Sequence, residues 1–481
     1  MKKIIVFILL SAFIISAPAA VHAENAGPGS SAAVTLGDAM RALKYTAHKG
    51  DLTFTEKQTW DIDNDGKIGL TDVMKIFMAA CGKYELPKPE RYIQPGFIIS
   101  TFYTGYSTDP AVMENILTLT KEAGFNLIEN GWVSGETAAV TAEAAEKVGI
   151  DFLLQEMNVY SGFQGGEFPF PEESVIEAVC EKYSDYEHFK GIFIWDEPVM
   201  ETIPVTRRLK DIFEEHMPGK LMYSCALPSY GIYKWDMQET YPRYIDEYVS
   251  LIDPDVISFD YYPYLQTDNI VYSSLWQDLG YIRKKALETN KPLWVYFQAL
   301  SNSLAYEPGN FTIEKIKSQV FPLLCYGVAG LSYFTSAGSV VYNNEKAPLY
   351  DDISALNKRV KNIGDFLLSK NNEAIYHCLR GDRYPSLYNL DRFEDSALME
   401  SATMKNSVIG QFGEYSSPDK YLLIANKHHE DISSGQITFR YPVTVYEIDT
   451  DTMESTLVAE NTTELQVEQP PAEAALYKIC P

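Results

Sequence analysis

GIFIWDEPV, residues 191–199, reads as a buried strand that ends on two carboxylates. Gly191 to Trp195 is a short apolar run with β-branched and aromatic residues, the pattern of a strand covered on both faces. Pro198 cannot continue a hydrogen-bonded ladder, so the strand stops at Asp196 and Glu197. Acidic residues are common where loops begin. A pair of them at the end of a buried strand is also what a parallel barrel sets at its mouth, where such folds keep their chemistry. The rest of the chain decides between the two readings.

Seven further runs resemble it: GFIIST (96–101), FNLIEN (125–130), IDFLLQ (150–155), KLMYSC (220–225), DVISFD (255–260), PLWVYF (292–297) and GLSYFT (330–335). Amphipathic stretches separate them, among them DPAVMENILTLTKEAG, ETAAVTAEAAEKVG and VTRRLKDIFEEHMPG, several stopping on glycine. A last one, DDISALNKRVKNIGDFLLSK, follows the eighth strand. Eight βα units over about 275 residues have the order and size of a TIM (β/α)8 barrel, placed at residues 96–370. An open doubly wound sheet fits less well, because no glycine-rich phosphate loop follows any strand. From residue 371 the pattern changes to short strands and turns, which predicts an all-β sandwich over 371–481.

In a barrel the strand ends converge. They supply Glu129 after strand 2, Glu156 after strand 3, Asp196 and Glu197 after strand 4, and Asp260 with Tyr262 and Tyr264 after strand 6. Gln298 ends strand 7, Tyr333 lies in strand 8, and Trp132 and Trp195 add rings beside them. Carboxylates ringed by aromatics, with no cofactor motif, suit glycoside hydrolysis: one carboxylic acid protonates the leaving oxygen and a second carboxylate helps at the anomeric carbon. A lyase or isomerase would call for a metal or a lysine base at the mouth, and the strand ends offer neither.

Bulk properties agree with a folded, exported protein. The 481 residues are 46% hydrophobic and 22% charged, with a net charge of -26 that disfavours nucleic acid and anionic membranes as partners. Thirty-three tyrosines stand beside 23 phenylalanines and 6 tryptophans, rings of the kind that stack on sugars. Lys2-Lys3, the apolar run IIVFILLSAFII and the small-residue stretch APAAVHA form a secretory signal over residues 1–23, which predicts secretion to the extracellular space. Six scattered cysteines without C-x-x-C spacing predict buried free thiols rather than a disulfide framework.

Upstream of the Pro-rich linker (86–95), DIDNDGKIGLTD (61–72) has the spacing of a calcium loop. Asp61, Asp63 and Asp65 stand at positions 1, 3 and 5, Gly66 makes the sharp turn, Lys67 offers its carbonyl, and Asp72 closes the loop. VTLGDAMRALKYTA (34–47) echoes IGLTDVMKIFMAACG (68–82). Over residues 30–85 these paired repeats resemble a type I dockerin, a small α-helical calcium module of cellulosome-type assemblies. The resemblance implies a cohesin-bearing scaffold as partner. The first loop, GPGSSAAVTLGD (27–38), lacks carboxylates at positions 1, 3 and 5, so one Ca2+ site is expected.

Trp-Asp-Glu-Pro after strand 4 resembles the Asn-Glu-Pro of the clan of (β/α)8 retaining glycosidases that includes β-galactosidases and endo-glycanases. That resemblance implies Glu197 as the general acid and Asp196 at the position of the asparagine that binds the sugar. Two departures stand out. Asp196 adds a charge beside Glu197, which raises its pKa. Gln298 occupies the place of the nucleophilic glutamate, and the next carboxylate is Glu307. Asp260, or else Glu129, is then expected to act on water in an inverting route, with carboxyls about 6.5–9.5 Å apart. Other routes stay open: the substrate supplies the nucleophile, or the barrel is a non-catalytic carbohydrate-binding or scaffold component. Gln298, Trp132, Trp195, Glu156, Tyr262, Tyr264 and Tyr333 complete the expected substrate-binding set.

Overall fold

The computed structural model describes residues 34–87, 91–133, 135–160, 170–231, 240–264, 275–300, 311–378 and 390–481. The expected signal segment and Glu307 lie outside the described residues. The first unit is helical: α1 (Leu36–Thr46), α2 (Phe54–Thr59) and α3 (Leu70–Ala80). Its two long helices begin alike. Asp38 accepts from Thr35 N at 2.8 Å, and Asp72 accepts from Gly69 N at 2.8 Å, so each repeat is closed by the same carboxylate cap. Ala39, Ala42, Trp60, Val73 and Ile76 form its small core.

The central unit is the expected barrel. Its strands are β1 (Ile98–Phe102), β2 (Leu127–Val133), β3 (Asp151–Glu156), β4 (Phe189–Asp196), β5 (Leu221–Cys225), β6 (Ile257–Tyr261), β7 (Leu293–Gln298) and β8 (Gly330–Phe334). Helices α4 (Pro110–Glu122), α5 (Gly135–Val148), α6 (Met157–Tyr160), α7 (Glu173–Tyr183), α8 (Ile203–His216), α9 (Thr240–Glu247), α10 (Leu275–Thr289), α11 (Ile313–Cys325) and α12 (Tyr350–Leu368) accompany them. The strands run in the order β5-β4-β3-β2-β1-β8-β7-β6. Ala226 closes the ring, since it bridges to Phe259 and donates its N–H to Ser258 O at 2.8 Å.

Side chains alternate along each strand. Ile98, Phe102, Leu127, Leu153, Phe193, Leu221, Tyr223, Trp294 and Tyr296 fill the interior, while Ile99, Ile128, Phe152, Ile194, Phe259 and Tyr333 face the helices. At the end where the strands begin, Gln94 plugs the barrel floor. It is fully buried, accepts from Trp294 Nε1 at 2.9 Å and donates to Ala329 O at 2.8 Å.

The C-terminal unit is antiparallel: β11 (Asn371–His377), β12 (Met399–Ala402), β13 (Ser407–Gly413), β14 (Lys420–Asn426), β15 (Ser433–Ile448), β16 (Ser455–Gln469) and β17 (Ala474–Cys480), after a two-residue pair, β9 (Val341–Tyr342) and β10 (Glu345–Lys346). β15 pairs with β12 and β16 in its first half and with β16 and β17 in its second, so the sheet bends over a core of Tyr376, Ile409, Leu422, Phe439 and Val445. All six cysteines are free, four of them buried.

Candidate active site

β4 hands the chain to Glu197 in a left-handed conformation, φ +52°. A non-glycine residue reaches that region at a cost of about 1–3 kcal/mol, so its surroundings must hold it. They do. Glu197 N donates to Cys225 O at 3.0 Å, and Pro198 O accepts from Tyr244 Oη at 2.8 Å. The turn is pinned on both sides and brings Glu197 to the surface of the mouth, where the residue is exposed.

Asp260 meets it from β6. This carboxyl is 3% exposed and lies within hydrogen-bonding reach of Glu197. Burial holds Asp260 well above the ordinary aspartate range, and the negative charges of Glu197 and Asp196 add to that. Burial also raises Glu197, partly offset by the hydrogen bond from Asp260. Two carboxyls in contact cannot both ionise cheaply, so the pair retains one proton. The proton favours the more buried Asp260, which donates to Glu197.

Below the pair lies Glu129, with no exposure at all. It accepts from Tyr296 Oη and from Ser332 Oγ at 3.0 Å. Burial lifts its carboxyl to about 8, with Ser100 and Ser332 opposing the shift and Asp196 adding to it. A group this enclosed cannot touch substrate, which corrects the expectation of Glu129 as a base. It is an uncharged acid inside the barrel. Asp196, half-buried on the same strand end as Glu197, lies within electrostatic reach of both Asp260 and Glu129.

The expected binding residues divide by strand parity. Tyr262 stays at the mouth, its ring 4.8 Å from Phe334 and its N–H donating to Tyr230 Oη at 3.1 Å. Glu156 faces the helices instead: Tyr183 Oη donates to it at 2.6 Å, and Asn158 Nδ2 at 2.7 Å. Tyr264 also turns away, bonded to Ser318 Oγ at 2.9 Å. Tyr333 donates to Asn357 Oδ1 at 2.6 Å behind the barrel wall. Half-buried Trp195 packs with the helix-side core, edge-on to Tyr160 at 6.3 Å. The Trp132 side chain lies outside the described residues.

Gln298 is 1% exposed, and both ends of its amide are engaged, accepting from Tyr264 N at 2.8 Å and donating to Leu300 O at 2.6 Å. It pins two loops rather than a sugar. In place of the displaced rings, the mouth carries Phe102 and Tyr103 (centroids 4.0 Å apart), Tyr106, Tyr230 and Phe334. Tyr106 and Tyr230 are 44% and 43% exposed, open enough to stack on a ligand. The FYTGY sequence after β1 contains three of these rings and was readable as a strand end.

The loop from Asp61 to Asp72 has a partly different geometry from that expected. Carboxylate oxygens of Asp61, Asp63 and Asp65 lie within 4.8 Å of one another, and Gly66 turns at φ +81°. Three hard oxygen donors at a sharp glycine turn fit Ca2+. Asp72 is not part of this cluster. Its oxygens accept backbone N–H bonds from Ile62 at 2.8 Å, Asp63 at 3.3 Å and Gly69 at 2.8 Å, because it caps α3. Lys67 donates its N–H to Asp65 Oδ1 at 2.9 Å.

No family model and no curated protein matches the chain. Solved structures do resemble it, glycoside hydrolases among them. A family 5 glycoside hydrolase from Bacteroides vulgatus is 11% identical over 81% of this chain and 92% of its own, with a TM-score of 0.49. A family 39 glycoside hydrolase from Bacteroides cellulosilyticus is 12% identical, covering 82% and 83% at 0.44. An α-galactosidase from Saccharomyces cerevisiae is 10% identical, covering 80% and 98% at 0.46. Likeness of this degree carries no argument about the reaction, which rests on the site itself.

The Glu129 carboxyl gives a signed test. Its pKa rises from 4.5 to about 8 on folding, so it stabilises the fold below about 4.5 and that contribution is lost as pH rises through 8. Glu129→Gln keeps the shape without the loss. Its stability relative to wild type should rise by on the order of 4 kcal/mol from about pH 5 to pH 9 in denaturant titrations. A constant difference would mean that Glu129 is ionised in the fold.

Proposed function

We propose that this protein is a secreted glycoside hydrolase acting on a polysaccharide or oligosaccharide, with Glu197 as the group that protonates the leaving oxygen. The observation that carries the reading is the Glu197–Asp260 contact at the mouth of a (β/α)8 barrel. A shared proton keeps one acid and one carboxylate together at neutral pH, which is what general acid catalysis of glycoside cleavage needs. Asp260 holds the proton in reserve, and Glu197, the exposed partner, passes it on. As the leaving oxygen departs, positive charge grows on the sugar ring, which the nearby Asp196 and Asp260 oxygens favour electrostatically; a water then bonds to the anomeric carbon and its proton returns to the Glu197–Asp260 pair. Tyr106, Tyr230 and Tyr262 give the sugar faces to pack on. The negative charges of Asp196 and of the Glu197–Asp260 pair at the mouth disfavour an acidic sugar, so an uncharged glycan is the substrate class that suits the site.

Asp61, Asp63 and Asp65 would hold Ca2+, which supplies charge neutralisation to the loop and takes no part in hydrolysis. The same module supports a scaffold partner. Leu36 and Met40 on α1, and Leu70, Met74 and Met78 on α3, lie one helical turn apart and are each 38–51% exposed. Such a paired apolar stripe suits a protein partner of the kind the dockerin resemblance implies, a cohesin.

Glu197→Gln should lower reducing-sugar release on a panel of uncharged glycans by about 10²–10⁴-fold while leaving glycan binding intact. Unchanged turnover removes Glu197 from the reaction, and binding without turnover by wild type makes the barrel a binder. Asp260→Asn takes away the shared proton's second seat, so the alkaline limb of the activity profile should move to lower pH. An unmoved limb would contradict the pairing. For the module, Met74→Glu together with Leu36→Glu should abolish retention on immobilised cohesin that wild type shows; equal retention by both would place the contact elsewhere.

A further inference from the structure

The helical module is joined to the other two units by an unusually continuous set of polar contacts. Arg91, from the linker, donates to Gln58 O at 2.8 Å and lies 3.3 Å from Asp61 Oδ2 in the calcium loop. Gln58 exchanges two bonds with the main chain of Gln94, at 3.0 and 3.2 Å, and Gln94 is the residue that bonds Trp294 inside the barrel. Asp61 therefore connects to β7 through three residues. A second route is shorter. A Cβ added to Gly66 would sit 2.9 Å from Thr289 O, so the loop backbone abuts the end of α10. Further out, Lys57 Nζ donates to Asn371 Oδ1 at 2.7 Å, and Asp51 accepts from Tyr415 N at 2.7 Å and Ser416 N at 2.8 Å on the sheet domain.

Two of these contacts, Arg91 to Asp61 and Gly66 to Thr289, run through the loop that gathers Asp61, Asp63 and Asp65. Their mutual repulsion spreads the loop unless positive charge offsets it. Arg91 supplies one such charge, and on the calcium reading, on which this inference rests, a divalent cation supplies the rest. We infer that the module is a cation-dependent clasp on the barrel floor: filling the Asp61–Asp65 loop stabilises the barrel through Arg91 and through the Gly66–Thr289 contact. Linkage makes the coupling reciprocal. Reciprocity fixes the sign for Arg91: a route that the cation strengthens must itself favour the cation, so loss of Arg91 weakens cation binding as it cuts the route to the barrel.

The test uses the full mature chain, freed of metal by chelation and titrated with CaCl2. Calorimetric titration reads binding, scanning calorimetry reads unfolding, and hydrogen exchange over residues 293–298 reads the barrel floor. The expected result is a binding heat, a rise of about 3–5 °C in the barrel's transition at saturating Ca2+, and slower exchange in β7. Arg91→Gln should bind Ca2+ several-fold more weakly and show a much smaller rise. Gly66→Ala, strained at φ +81°, is the second variant and should likewise uncouple the two. Binding heat without any change in the barrel transition or in β7 exchange overturns the clasp and leaves the calcium site standing. No binding heat at millimolar Ca2+ overturns both. Neither outcome depends on hydrolysis, so the glycosidase reading is judged separately.

Discussion

The contact that organises this molecule is the closure of the barrel between β5 and β6. Ala226 stitches the two strands, and the consequence is local: Glu197, Cys225 and Asp260, which end three neighbouring strands, are forced into one small volume. The left-handed turn at Glu197 is affordable because Cys225 O and Tyr244 hold it, and both belong to the segment that the closure positions. Opening the seam would separate the carboxyls and return each to its ordinary acidity. Fold and site chemistry thus share one cause.

Polar groups in the interior follow the same logic. A carboxyl as enclosed as Glu129 survives by staying protonated and by having hydroxyls of Tyr296 and Ser332 to bond. Gln94 at the floor and Gln298 near the mouth are buried amides whose partners are backbone and indole groups. Each fixes a loop or strand end. The Gln298 amide is committed to holding two loops, and on the proposed reading the chemistry sits at the β4 and β6 ends.

Much of the barrel was legible because its strands are compact apolar runs between amphipathic helices, and every predicted strand falls within a few residues of the observed one. Which residues look inward was not legible. Both faces of a parallel strand are apolar, so composition does not reveal parity. Tyr333 and Glu156 look like site residues by position, yet alternation sends them to the helices, while Ser332 and Phe334 face in. The tail misled differently. GQITFRY (435–441) and VTVYEID (443–449) have the look of two of the tail's short strands on either side of Pro442, whereas β15 runs through the proline with a register shift between Thr438 and Val443 that absorbs it. Asp72 has the spacing of a metal ligand and the geometry of a helix cap, and spacing alone cannot separate these roles.

What the account asserts most specifically is that Glu197 and Asp260 share a proton at neutral pH. A carbon-13 titration of the two side-chain carboxyls, assigned through Glu197→Gln and Asp260→Asn, reads this directly. The account predicts two well-separated coupled steps, with the second proton leaving well above the ordinary carboxylate range. Two independent transitions in the ordinary carboxylate range would contradict it, and the barrel mouth would then hold no acid to give.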